Sequence, residues 1–264
     1  MKAIYPVGTV SKALSLLDYF SRATPEIGLS DLARLAGLNK ATTFRLLSEL
    51  ALQGFVEQTG SGREYRLGPA FLRLSALREA AVPMREVGMK VLRALSDATG
   101  ETAHMSLLQG TRLSTIAYTY ASAHGTQVRM EDAEELTLHS TSSGLAVLAF
   151  NTTEFLDDIL SRKLPARTPD TITDPEVIRA QLAPFRAQGF AVSVGGFEED
   201  VYSHAVPVFD AASNVIGAVA VAAPVARMDD DLRDIIQREL LRQTTDLTRL
   251  LGGFPPEHFA GIAA

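Results

Sequence analysis

The spacing of apolar positions changes from a helical period to a period of two partway along the chain. In GTVSKALSLLDYFSRA, Val10, Ala13, Leu14, Leu17 and Phe20 recur at helical spacing behind Thr9, a candidate N-cap, so a first helix is expected there. Ser30 caps LSDLARLAG, with Asp31 at the positive end of the helix dipole and Gly37 as a left-handed stop, which makes a short second helix. Leu38 and Asn39 form a tight connection, and Asn39 caps a third helix that ends at Gly54. Three helices with a very short second turn describe a helix-turn-helix. In FVEQTGSGREYRLG two strand-like runs flank Gly60, Ser61 and Gly62 and read as a hairpin. Pro69 opens the helical run GPAFLRLSALREAA, and Pro83 interrupts it before MREVGMKVLRALSDATG resumes the pattern to Gly100.

From Thr102 the period is two. TAHMSLLQ, LSTIAYTY, FAVSVG, YSHAVPVF and VIGAVAVAA read as strands, with helices near 142 to 150, 153 to 161 and 174 to 188, so an α+β sheet domain is expected. MDDDLRDIIQRELLRQTTDLTRLL, with three aspartates at its start, closes this domain as a helix, and GFPPEHFAGIAA reads as a loose tail. In the connecting helices, Phe71, Leu74, Leu77, Val87, Val91 and Leu95 make a surface more apolar than one monomer requires, which points to at least a dimer.

Composition narrows the function classes. A chain of 264 residues with 46% apolar residues can bury a sizeable core in one large or two ordinary domains. Its most apolar run, Val215 to Ala226, is too short for a membrane span and contains a proline, and MKAIYPVGTVSKAL lacks the apolar region of a secretory signal, so a cytoplasmic protein is expected. The absence of cysteine excludes disulfides and thiolate metal sites. The net charge of −6 is split unevenly: residues 1 to 80 carry ten Lys and Arg against seven Asp and Glu, so the excess of negative charge lies in the remainder.

The third helix gives that basic third a task. Thr43, Leu46, Leu47 and Leu50 form one apolar stripe, while Ala41, Phe44, Arg45 and Ser48 lie opposite. Small, aromatic, cationic and hydroxylic residues together can contact a thymine methyl and a guanine edge in a major groove. Lys40 and Thr42 at the helix start suit phosphates, and Arg63 at the hairpin tip can reach the backbone or minor groove. The alternative is a solvated helix face or a protein-interaction module. Ser140, Thr141, Ser142, Ser143 and Gly144 gather hydroxyls and free amides at another helix N-terminus, which makes either an ordinary N-cap or an anion site. His104, His124, His139, His204 and His258 have no spacing that makes a metal site, and no nucleophile elbow, phosphate loop or zinc-protease helix supports an enzyme.

The runs VSKALSLLDYF, LSDLARLAGLNKATTFRLLSELALQGFV and YRLGPAFLRL resemble the winged helix-turn-helix of the IclR family of bacterial transcriptional regulators. LTLHSTSSGLAVLAF and QGFAVSVGGFEEDVYSHAVPVFDAASNVIGAVAVAAP resemble the same family's effector domain, so the likeness spans about residues 7 to 250. It implies a winged helix-turn-helix over 1–68, linker helices over 69–100, a GAF-like effector-binding domain over 101–252 and a tail over 253–264. By the same implication the protein binds double-stranded operator DNA as a homodimer or homotetramer, is regulated by a small anionic effector, and needs no cofactor. The resemblance assigns DNA contacts to Lys40, Thr42 and Arg45, with Ala41 and Phe44 on the same side, and Arg63 joins them from its place at the hairpin tip. Effector contacts fall to Ser142 and Ser143, with Ser193 and Ser203 on later strands and His104, Tyr118 and Tyr120 as further candidates. The chain departs from the family pattern at Asn39, where proline is usual, at Ala41, where serine is frequent, and at Leu145, where lysine is frequent. Glu131, Asp132, Glu134 and Glu135 also make the loop before the effector motif unusually acidic.

Overall fold

The computed structural model describes residues 8–21, 24–58, 63–81, 84–131, 134–257 and 259, with 75 and 78–81 described by backbone alone. The chain divides into two compact units whose sequence boundary falls between residues 82 and 83. The expected hairpin tip at Gly60, Ser61 and Gly62, and the positions Pro83, Asp132 and His258, lie outside the described residues.

In the first unit, α1 (Thr9–Ser15) passes into a 3-10 turn, followed by β1 (Ile27–Gly28), α2 (Leu29–Leu35), α3 (Lys40–Leu52), β2 (Val56–Gln58), β3 (Glu64–Leu67) and α4 (Ala70–Ala81). Two expected caps shift. Gly8 precedes α1 and Gly28 precedes α2, neither with a side-chain cap, so Thr9 and Ser30 sit inside their first turns. Asn39 does cap α3, its side-chain oxygen accepting the Thr42 amide at 2.8 Å. Gly37, at φ 63°, closes α2: its amide bonds to Arg34 and the Leu38 amide to Ala33, which reverses the chain in time for α3 to start at Lys40.

The core of this unit gathers Leu16, Leu32, Leu46, Leu47, Leu50, Val56 and Tyr65. Val10 and Leu14, expected on the core face of α1, are exposed while Leu16 is buried, because the helix stops at Ser15 and a 3-10 turn changes the period. The sheet has three strands in the order β1-β3-β2, with Ile27 opposite Tyr65. Phe71 packs edge-on to Phe55 at 5.4 Å, and Leu72, Leu74 and Leu77 of α4 stay exposed.

The second unit contains α5 (Met84–Thr99), β4 (Thr102–Gln109), β5 (Arg112–Thr119), β6 (Glu135–Leu136), α6 (Ser142–Phe150), α7 (Thr153–Leu160), α8 (Pro175–Gln188), β7 (Ala191–Val194), β8 (Val201–Phe209), β9 (Val215–Pro224) and α9 (Asp230–Leu250). Its sheet is antiparallel throughout, in the order β6-β5-β4-β9-β8-β7. Alternation along the strands assigns the helices to faces. Gly88 of α5 lies so close to Met105 that a Cβ there would stand 2.8 Å from the sulfur, and Gln237 of α9 reaches His204 at 3.3 Å. His104, one residue before Met105, points the opposite way and meets Ser143 of α6. Thus α5 and α9 cover one face and α6 the other, and β8 and β9, buried on both, read as nearly continuous apolar runs.

Two expectations need correction here. Val91 and Leu95 belong to the core of this unit and Val87 packs against it, so α5 has no surplus apolar face of the kind expected of the linker. The tail after residue 252 is not loose over its described residues. Phe259 is buried against the rings of Phe150 and Phe209, and a Cβ at Gly253 would lie 1.9 Å from the Phe209 carbonyl oxygen. Aromatic burial holds a segment whose proline and glycine content reads as unstructured.

Candidate nucleic-acid interface and ligand pocket

On α3 the buried stripe is Thr43, Leu46, Leu47 and Leu50. Rotation by half a turn brings Lys40, Ala41, Phe44 and Arg45 into solvent, with Thr42 half-buried. Phe44 is 53% exposed, so this aromatic contributes little to the core of its own unit. Lys40, Arg45 and Arg63 make no ion pair among the described residues, which leaves their charge available to phosphate or base edges. Ser48 is committed locally, donating to the Phe44 carbonyl at 2.9 Å. Arg63 is exposed next to the start of β3.

In the second unit, a cavity of about 50 Å³ lies between the sheet and the start of α6. Its polar lining includes His104, Ser142, Ser143, Ser193 and Ser203, which come from β4, α6, β7 and β8. Register explains their convergence: Ser193 lies directly opposite Ser203, Ser203 opposite Ala222, and His104 opposite Ala220 on the same face. The helix start is fixed from three directions. The Thr141 hydroxyl accepts the Gly144 amide at 2.9 Å and donates to the Thr137 carbonyl at 2.8 Å, and Ser193 donates to the Ser140 carbonyl at 2.7 Å. Gly144 is required by contact, since a Cβ would stand 2.4 Å from the Leu138 Cα.

Tyr118 does not line this cavity. Its ring lies 5.4 Å from that of Tyr120, whose hydroxyl accepts the Met130 amide at 3.0 Å and so holds a wall residue in place. The wall is apolar, with Val128, Met130, Leu136 and Phe197. Arg227 closes this end of the domain: it forms two hydrogen bonds to the Glu101 carboxylate at 2.6 and 2.7 Å and donates to the Thr126 carbonyl at 2.9 Å. Thr102 adds a bond to the Val128 carbonyl at 3.0 Å.

The electrostatics of the lining are unequal. Burial pushes His104 down to about 4, so its imidazole is neutral at pH 7; Ser143 meets one ring nitrogen at 3.3 Å and Nδ1 has no partner. Two lining carboxylates, Glu134 and Glu198, were not among the sequence candidates. Burial raises Glu134 from its ordinary value, and the charges of Glu198 and Glu131 add to this, against a hydrogen bond to the Glu131 backbone and the charge of Arg167. Burial likewise raises Glu198, again opposed by Arg167, whose guanidinium lies 3.9 Å from the centre of the Phe197 ring. The acidic run before α6 and the letters GFEED were legible as acidic, but nothing local brings residues 134 and 198 together. A broader recess of about 240 Å³ adjoins the cavity, and its buried histidine, His139, already meets the Pro165 carbonyl at 3.0 Å. Among the described residues no group of three His, Asp or Glu could hold a metal ion, and no helix is long and apolar enough to cross a membrane.

Comparison with known proteins agrees with both units. The family description "Bacterial transcriptional regulator IclR C-terminal" matches residues 79–249, and "IclR helix-turn-helix domain" matches residues 9–60. The chain is 28% identical to the HTH-type transcriptional regulator XynR of Escherichia coli K12 over 257 residues, 93% of this chain and 98% of the relative. The crystal structure of an IclR transcriptional regulator from Silicibacter sp. TM1040 is 54% identical with a TM-score of 0.93, covering 96% of this chain and 99% of that one. An IclR homolog from Microbacterium hydrocarbonoxydans, crystallised with 4-hydroxybenzoate, is 25% identical with a TM-score of 0.73, covering 92% and 100%. With an exposed cationic helix in a three-stranded helix-turn-helix unit and an α+β unit that encloses a pocket, the chain belongs to the IclR family of bacterial transcriptional regulators.

Proposed function

We propose that the protein reads a short palindromic operator through α3 as at least a dimer, and that a small organic or aromatic carboxylate bound at the start of α6 sets its operator affinity. The observation that carries the DNA reading is the exposed, unpaired Lys40 and Arg45 beside exposed Phe44 and Ala41, opposite a fully buried stripe. A two-fold operator requires self-complementary assembly, and the exposed Leu72, Leu74 and Leu77 of α4 offer apolar surface for it. The carboxylate reading rests on the buried hydroxyls at the positive end of α6 and is supported by the 4-hydroxybenzoate held by the Microbacterium homolog.

Arg45→Ala is expected to weaken operator binding by about 1 to 3 kcal/mol, roughly 5- to 150-fold, in a gel shift on the gene's own upstream region. The complex should contain two or more chains per operator. Wild-type protein that shows no preference over random DNA at any salt concentration, with or without effector, would sink this reading.

Ser142→Asp places a negative charge where the effector carboxylate would lie. Titration calorimetry should show carboxylate binding weakened while ligand-free operator binding stays within about twofold, because an effector acts only through its differential affinity for two conformations. Unchanged carboxylate affinity in this variant would move the effector site elsewhere.

A further inference from the structure

The pocket is built for more than a carboxylate. Ser142 and Ser203 are each at least nine-tenths buried, line the cavity, and have hydroxyls with no hydrogen-bond partner among the described residues. Buried His104 adds an unpartnered Nδ1 to the same lining. Buried polar groups are almost always satisfied, so this set is suited to a polar ligand in the cavity. The other side of the cavity carries the opposite demand. Neither Glu134 nor Glu198 has an ion pair among the described residues; Glu134 has a hydrogen bond to the Glu131 backbone, and Arg167, the cation that influences both carboxyls, lies against the Phe197 ring. Charged together, Glu131, Glu134 and Glu198 outnumber Arg167 three to one.

We propose that the effector is an amino acid, with its carboxylate at the Ser142 and Ser143 end of α6 and its protonated amine between Glu134 and Glu198. This rests on the pocket assignment above. A simple carboxylate would satisfy the hydroxyls and bring another negative charge toward two acids that share Arg167 as a counter-charge. An ammonium has three donors and no acceptor, while a carboxylate only accepts, so two carboxylates around one ammonium are complementary in both charge and hydrogen bonding. A quaternary amine has no N–H and would leave those oxygens unmet. The raised position of both carboxyls fits a site that awaits a cation, since a bound ammonium would favour their ionised form.

The test is titration calorimetry of the full chain against the L-α-amino acids and the linear ω-amino acids of two to six carbons. Each is paired with its desamino acid and N-acetyl form, which lack the ammonium, and with its carboxamide, which lacks the carboxylate; 4-hydroxybenzoate is included. At least one amino acid should bind at least about 10-fold more tightly than all three of its partners, the scale of a charged hydrogen-bonded contact. In Glu134→Gln/Glu198→Gln the preference for that amino acid over its desamino acid should fall below about threefold, with Glu198→Gln alone giving an intermediate value. Neither position has an ion pair among the described residues, so these variants should melt near the wild-type temperature. Desamino acids or 4-hydroxybenzoate binding as tightly as every amino acid would overturn the amine assignment and leave the carboxylate pocket standing. If no compound in the panel binds, both fall.

Discussion

Arg227→Ala is expected to lower the stability of the second unit by about 3 to 5 kcal/mol at neutral pH, the range for a buried ion pair that loses one partner. The Glu101 side chain is 2% exposed and its carboxylate receives both of its side-chain hydrogen bonds from Arg227, at 2.6 and 2.7 Å. Without the guanidinium, a charge in a nearly dry setting has no counter-ion. A buried carboxylate left without its partner carries a large desolvation cost. The pair also has a role in the pocket: the Arg227 contact to the Thr126 carbonyl secures the segment that supplies Val128 and Met130 to the cavity wall. Urea denaturation at pH 7 gives the stability change, and the double variant Glu101→Gln/Arg227→Ala should recover at least about 1 kcal/mol because a neutral amide costs less to bury than a lone carboxylate. A loss below about 1 kcal/mol in Arg227→Ala would show that the pair contributes no more than an exposed one.

How much of this was legible in the sequence follows the range of the interactions. The stripe of α3, its Asn39 cap and the Gly37 stop depend on residues within four or five positions of one another, and all three are present as read. The two-residue strands β1 and β6 carry no period of their own; they exist because Tyr65 and Leu113 bring partners to them from far along the chain. The same division holds for the pocket. The hydroxyl cluster at α6 is a local motif, and Ser193, Ser203 and His104 were placed by resemblance to a family. Tyr118 shares their face but its ring packs beside Tyr120, outside the lining. Glu134, just before β6, and Glu198, in the connection from β7 to β8, are 64 positions apart and come from elements at opposite edges of the six-stranded sheet, so no window of sequence pairs them. Val91 and Leu95 failed in the other direction: an amphipathic stripe says that a helix has a partner and does not say whether the partner is its own sheet or a second chain.

Acid should destabilise the second unit well above the pH at which its carboxylates lose their charge, and two histidines supply most of the effect. His104 and His204 are both lowered from 6.5 to about 4, His104 by burial and His204 by burial with a smaller repulsion from Arg233. As pH falls below 6.5 the unfolded chain takes up protons at these positions and the folded chain does not, so stability declines from about pH 6.5 and levels off below about 4. A shift of that size corresponds to about 3 kcal/mol for each residue. His139, lowered by burial against an opposing bond to the Pro165 carbonyl, acts in the same direction. Glu134 and Glu198 act in the opposite one, because carboxyls raised in the folded state bind protons before the unfolded chain does. Denaturation melts from pH 7.5 to 4.5 should therefore show a slope approaching two protons near pH 5.5. His104→Asn and His204→Gln should each remove about one proton from that slope, whatever they do to stability at pH 7. The slope separates titration from packing: a variant that only loosens the core shifts the whole curve down and leaves its steepness unchanged, and that result in both variants would exclude the histidines as the cause.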